Sequence, residues 1–277
     1  MSPSGMHAAI IDQLIQPRIH IKLPSIMTPF KQFVSAQASA CAREAVADAR
    51  KDAFDQLPVV DDEGHVTGLV YVAQLRKVPD DALVSNCMIP LEESGQLRIE
   101  DGISKAVQIL HTKPASLVTD GVKVVGLVHR SDLNKHSART YFYLWLSSLE
   151  MMLARLVSLR LPNNAWIEHL GEQAQIRVLG KMEFESRRNN SINPIEYLDL
   201  SDLVRIIAKN KIIYTELGFD SRSRFEDEIG GLVDLRHDIM HPVRTLVSDA
   251  ESMSVLANRE KTLRAINLTV QRILKRA

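Results

Sequence analysis

The chain has 277 residues, 45% hydrophobic and 25% charged, a globular composition long enough for two ordinary domains and unlike that of a disordered or fibrous chain. Lys+Arg and Asp+Glu both number 34, so the formal net charge is zero and any nucleic-acid contact has to come from a local patch. Two cysteines, Cys41 and Cys87, exclude a disulfide framework and show no metal-ligand spacing; they read as small hydrophobes in a reducing cytosol.

Residues 1–17 carry Asp12 and lack a basic start followed by an apolar core, so no signal peptide is expected and the protein is expected in the cytoplasm. Ile26-Met27-Thr28-Pro29 then leads into an Ala-rich helical run over 38–54 and a strand over 57–60. An acidic turn follows, Asp61-Asp62-Glu63-Gly64, then a strand over 66–71 and a short helix near Ala73.

The same order returns. Cys87-Met88-Ile89-Pro90 precedes a helical run over 103–110, a strand over 116–118, the turn Asp120-Gly121, a strand over 124–129 and a short helix near Ser131. An offset of 58 residues aligns Val59-Val60 with Leu117-Val118, Gly68-Leu69-Val70 with Gly126-Leu127-Val128, and Leu75 with Leu133. A βαββα-like unit is therefore used twice.

After Lys135 the strand pattern stops and helical spacing takes over. Phe142, Trp145, Leu149, Met152, Leu153 and Leu156 recur at threes and fours, as do Leu200, Leu203, Ile206 and Ile207, and Leu263, Ile266, Val270, Ile273 and Leu274. Polar loops are expected at Pro162-Asn163-Asn164 and over 186–194. The apolar stretch 141–161 contains Glu150, Arg155 and Arg160, so a soluble helix is expected there rather than a membrane span. The fold class is α+β, with a domain boundary near 136–139: a paired-repeat module over 20–137 and an all-helical bundle over 138–277.

The repeats resemble CBS domains. The resemblance covers roughly residues 20–137 and rests on Met27-Thr28-Pro29, Leu57-Pro58-Val59-Val60-Asp61, Gly68-Leu69-Val70 and 126–133. It implies a flat module whose cleft takes an adenine nucleotide (ATP, ADP or AMP) as a regulatory ligand, with a Thr or Ser and an Asp holding the ribose. In the second repeat these positions are His129 and Asp132, beside Ser131; in the first they are Tyr71 and Gln74, so both family groups are missing there. A carboxylate suits a ribose diol because it accepts two hydrogen bonds. Ser131 or Asp132 would equally cap the short helix that follows.

In the second half, Leu235-Arg236-His237-Asp238-Ile239-Met240-His241-Pro242 sits at the end of an amphipathic run stopped by Pro242. Over roughly 140–277 the chain resembles HEPN domains, whose motif is an Arg followed four to six residues later by a His. The resemblance implies a homodimer that cuts RNA without metal at a shared site. At about 100° per residue, Phe225, Ile229, Leu232, Leu235, Ile239 and Met240 share an arc that also contains Arg236. An Arg in an apolar stripe needs a partner or an interface, and Glu150 is the candidate partner.

RNA cleavage would use His241 for proton transfer, Arg236 for the phosphate, His237 to assist and Asp238 to orient a histidine. Arg236 as an ordinary salt-bridge residue and His241 as a C-terminal cap remain open, as does a metal on His237 and His241. Gly230-Gly231 weakens its helix unless another backbone approaches closely. Arg187, Arg188, Arg222 and Arg224 are RNA-contact candidates or solvated residues. Two functions follow: a nucleotide-regulated endoribonuclease, or a non-catalytic nucleotide-sensing dimerisation scaffold.

Overall fold

The structure is a computed structural model that describes residues 21–51, 54–94, 96–189 and 192–276. The expectation for residues 1–17 lies outside them, as do the end of the helical run over 38–54 and the middle of the loop over 186–194. The chain divides into two compact units. One contains residues 21–139 together with Thr245–Ala257; the other contains Thr140–Arg244 and 258–276.

The first unit is built from β1 (Thr28–Pro29), β2 (Ala36–Gln37), α1 (Ala42–Lys51), β3 (Gln56–Val60), β4 (Val66–Tyr71) and α2 (Val72–Leu75). It continues with β5 (Ile89–Pro90), β6 (Leu97–Arg98), α3 (Ile103–Thr112), β7 (Ala115–Thr119), β8 (Val124–His129) and a 3-10 turn over Arg130–Asn134. The strands β3, β7 and β8 are buried along most of their length and β4 over Gly68–Val70, with no exposed residue in any of the four, so each is a core strand.

Two four-stranded sheets form, ordered β2-β3-β4-β5 and β6-β7-β8-β1. Each takes its last strand from the segment preceding the other repeat: β1 pairs with β8 and β5 pairs with β4. The two-residue strands were illegible in the sequence, because a two-residue segment has no periodicity to read.

The swap explains the glycine shared by the two repeats. A Cβ on Gly68 would lie 2.5 Å from the Ile89 carbonyl oxygen, and one on Gly126 would lie 2.7 Å from that of Thr28. Only a residue without a side chain lets the exchanged strand approach this closely.

The uniform 58-residue offset needs one correction. Val59 pairs with Gly68 and Val118 with Gly126, so β3 corresponds to β7 at an offset of 59, while β4 corresponds to β8 at 58. The extra residue sits in the first hairpin turn, residues 61–65, against 120–123 in the second. Gly64 and Gly121 take the left-handed positions, at φ 83° and 97°.

The sheets pack on one another through Leu69, Ala115, Leu117, Val124 and Leu127, with Phe33, Val66, Tyr71 and Leu91 around them. Thr245–Ala257 joins this unit through a clasp. The Asn134 amide nitrogen donates to the Val247 carbonyl at 2.8 Å, and its oxygen accepts from the Leu246 and Val247 amides at 2.6 and 3.1 Å.

In the second unit the described secondary structure is helical: α4 (His136–Arg160), α5 (Glu172–Arg187), α6 (Leu200–Ala208), α7 (Lys211–Glu216), α8 (Arg222–Met240) and α9 (Ala250–Arg276). Both α4 and α9 begin on residues grouped with the first unit. By length and composition α4 qualifies to cross a membrane. In this fold it is a core helix: Phe142, Leu149, Met152, Leu153 and Leu156 are buried, Glu150 pairs with Arg236, and Arg160 makes two hydrogen bonds to Glu216.

Helix α5 was not anticipated beyond the polar segment at its end. Only Ala174 and Val178 are buried on it, while Ile176, Leu179 and Phe184 are at least half exposed, so it carries no clean apolar stripe. Helix α9 starts at Ala250, where the Asp249 carboxylate accepts from the Ser252 amide and the Ser252 hydroxyl accepts from the Asp249 amide. The cysteines are free and only partly buried.

Candidate functional site

The ribose-position residues of the second repeat are brought together, and they bond one another. His129 caps the 3-10 turn, its Nδ1 accepting from the Ser131 amide at 3.1 Å and lying 2.8 Å from the Ser131 hydroxyl. The Asp132 carboxylate accepts from the His129 amide at 2.7 Å and pairs with Lys135 at 2.8 Å. Asp132 is therefore the third residue of a capping box, and the N-cap is His129 rather than Ser131 or Asp132. Burial lowers the His129 pKa, with Arg130 adding to the effect while Asp132 and Asp55 oppose it. In the first repeat Tyr71 is shifted upward by burial, against Arg130 and a backbone hydrogen bond with Ala115.

A pocket of about 510 Å³ opens elsewhere in the unit, between the two hairpin turns and the exchanged segments. Pro29, Phe30, Val66, Leu91 and Val124 supply apolar walls, and Lys31, Lys123 and His65 supply polar groups. His129, Ser131 and Asp132 are not among its lining residues. The lysines were missed because nothing in the sequence marks them as neighbours; the strand exchange brings 29–31 to the turn at 122–125. In the first turn, ligand atoms of Asp61, Glu63 and His65 lie within 4.8 Å of one another.

In the helical unit Arg236 and Glu150 meet as the helix geometry requires, Arg236 Nε donating to Glu150 at 3.0 Å. Their side chains are 36% and 24% exposed, so the guanidinium reaches solvent from the margin of the apolar stripe. Burial raises the Glu150 pKa; Arg236 pulls it down and Asp199 pushes it up. Asp199 caps α6 in a capping box with Asp202. Burial raises its pKa, but the Ser201 hydroxyl, the Asp202 amide, Arg236 and Arg177 together outweigh that, leaving it lowered.

Arg177 pairs with the buried Asp202, so α4, α5, α6 and α8 share one network of charges. Asp199, Asp202 and Arg177 were not anticipated as members of this site. The Asp199-x-x-Asp202 spacing is a legible cap signal, whereas its nearness to Arg236 is purely tertiary.

The motif histidines stand apart. The rings of His237 and His241 contact each other edge to face at 4.4 Å, both are exposed, and His241 is the C-cap residue of α8. The Asp238 carboxylate takes Arg244 at 3.1 Å and Arg259 at 3.7 Å. Among the described residues, no group of three or more metal-ligating side chains includes either histidine.

Met240, expected in the buried arc, is 51% exposed, because the helix ends there and no packed element covers it. Gly230 does not meet another backbone within the chain: a Cβ there would have nothing within 4 Å, while one on Gly231 would touch Arg259. Arg187, Arg222 and Arg224 are spent on i,i+4 pairs with acidic neighbours, and Arg188 lies over the Phe184 ring.

A pocket of about 200 Å³ lies between α4 and α8, lined by Tyr143, Ser147, Glu150, Met151, Arg236 and Met240 among others. The motif histidines do not line it.

No family model matches the chain, and no curated protein matches it. Solved structures similar to part of it include a CBS domain-containing protein of unknown function from Bacillus anthracis, at 17% identity over 41% of this chain and 89% of that one, with a TM-score of 0.38. The CBS domain of a bacterial CNNM/CorC family Mg2+ transporter, in complex with ATP, is 18% identical over 47% and 94% of the two chains, with a TM-score of 0.37. CBSX2 in complex with AMP is 18% identical over 44% and 97%, also with a TM-score of 0.37.

Proposed function

We propose that the N-terminal unit is a CBS-type regulatory module that binds an adenine nucleotide, and that the chain is a nucleotide-responsive regulatory protein. The observation that carries this reading is the pocket between the two hairpin turns. Its volume of about 510 Å³ suits a nucleotide, its walls suit a flat base, and Lys31 and Lys123 would receive phosphate oxygens.

Isothermal titration calorimetry with ATP, ADP and AMP tests the proposal. Binding that weakens about tenfold or more in the Lys31→Glu, Lys123→Glu double variant supports it. No heat from any of the three, with a folded protein, removes it.

A second reading is an HEPN-type endoribonuclease in the helical unit. It is favoured by Arg236, half exposed beside Glu150, on the helix whose exposed end carries the His237–His241 pair. There Arg236 would hold the strand and the imidazoles would move protons. RNA incubated with wild type, Arg236→Ala and His241→Ala, with and without EDTA, tests it; equal cleavage by all three rejects it.

A further inference from the structure

We propose that the pocket between α4 and α8 is a base-reading site for a guanine nucleotide, with Glu150 and Arg236 as the reading pair. The proposal deepens the second reading where the guanine belongs to an RNA strand, and stands without it where the nucleotide is free.

The pocket is built for a flat heterocycle. Its volume of about 200 Å³ exceeds the roughly 150 Å³ in which an apolar cavity holds benzene, leaving room for a bicyclic purine. Tyr143, Met151 and Met240 line it with 47%, 42% and 51% of their surfaces exposed, an aromatic face and two thioethers that no element of the unit covers. Aromatic faces and methionine side chains are the groups on which a base stacks or packs.

The polar groups are unspent. Arg236 uses Nε on Glu150 and its charge acts on Asp199, but among the described residues its two terminal nitrogens make no hydrogen bond; neither do the hydroxyls of Tyr143 and Ser147. The Glu150 carboxylate keeps acceptor capacity beyond the one bond from Arg236. A donor fork beside a carboxylate matches the edge of guanine, where an acceptor carbonyl adjoins two N–H donors. Adenine offers the carboxylate a single amine and pyrimidines fill less of the space. The exposed imidazoles of His237 and His241 lie outside the pocket, so Arg236 and Glu150 bind the base and take no part in proton transfer.

The test is photolabelling of the full-length protein with azido-guanosine monophosphate in one arm and a short thioguanosine-containing RNA in the other, with labelled peptides mapped by mass spectrometry. The expected result is adducts on the peptides bearing Tyr143, Met151 or Met240. Unlabelled GMP should compete at about tenfold lower concentration than AMP. Glu150→Gln should erase that preference, and Tyr143→Ala, a change at an exposed position, should erase the label.

Label from the free nucleotide alone identifies a nucleotide site; label from the RNA alone identifies a strand site. Pocket label without RNA cleavage keeps the base site and removes the nuclease. Cleavage without pocket label removes the base site and leaves the nuclease standing. Label confined to peptides bearing Lys31, His65 or Lys123, or equal competition by all bases, overturns the proposal.

Discussion

Two glycine-to-alanine substitutions should move stability in opposite directions. At Gly68 the new Cβ would lie 2.5 Å from the Ile89 carbonyl oxygen, a backbone atom that cannot swing away. An ordinary C···O contact is about 3.3 Å, so β4 and β5 must part by about 0.8 Å. Overpacking of this kind costs about 1–3 kcal/mol, and straining the two-residue β4–β5 pairing adds about 1 kcal/mol. Gly68→Ala should therefore cost about 2–4 kcal/mol, read as roughly 30- to 900-fold faster hydrogen exchange of the Val66–Tyr71 amides.

At Gly230, inside α8, the Cβ meets nothing within 4 Å. Gly230→Ala should stabilise the helical unit by about 1 kcal/mol through helix propensity alone. Its urea midpoint can be followed by fluorescence, because both tryptophans, Trp145 and Trp166, lie in that unit. Unchanged exchange in Gly68→Ala would refute the strand-exchange argument. A lower midpoint in Gly230→Ala would show that something does press on that face.

Asp132→Ala removes the acceptor for the His129 amide and the partner of Lys135, and should destabilise the second repeat by about 1–2 kcal/mol with no ligand present; an unchanged melting curve would contradict its capping role. Asn134→Ala removes the clasp on Leu246 and Val247, so exchange at those two amides should accelerate about tenfold or more while α4 stays protected. Asp199 titrates below its ordinary value of 3.8, so its contribution is present above that pH and is lost as pH falls through the lower folded value. Asp199→Asn should lower the melting temperature at pH 7, and the difference from wild type should shrink towards acid. Glu150 has the opposite sign: raised by burial, its ionised form costs stability that protonation relieves, and melting profiles of Glu150→Gln against pH check it.

The sequence by itself determined the elements that carry a period or a repeat. The strands β4 and β8 were legible to the residue, Gly68 and Gly126 aligned as equivalent positions, and the helical spacing of α4 and α8 placed Glu150 and Arg236 where they could pair. These are local signals, fixed by 3.6- and two-residue periodicity and by turn chemistry.

What tertiary structure alone decided is which segments become neighbours. The exchange of β1 and β5 depends on pairings of Thr28 with Leu127 and of Gly68 with Pro90, 99 and 22 positions apart, for which a two-residue strand leaves no trace. It turned Pro29–Lys31 towards the hairpin at 122–125 and so made the first pocket. The bonds of Asp132 to the His129 amide and to Lys135, and the exposure of Met240 where α8 ends, are of this kind too. Side chains of that kind have several admissible partners, and only the fold's distances choose among them.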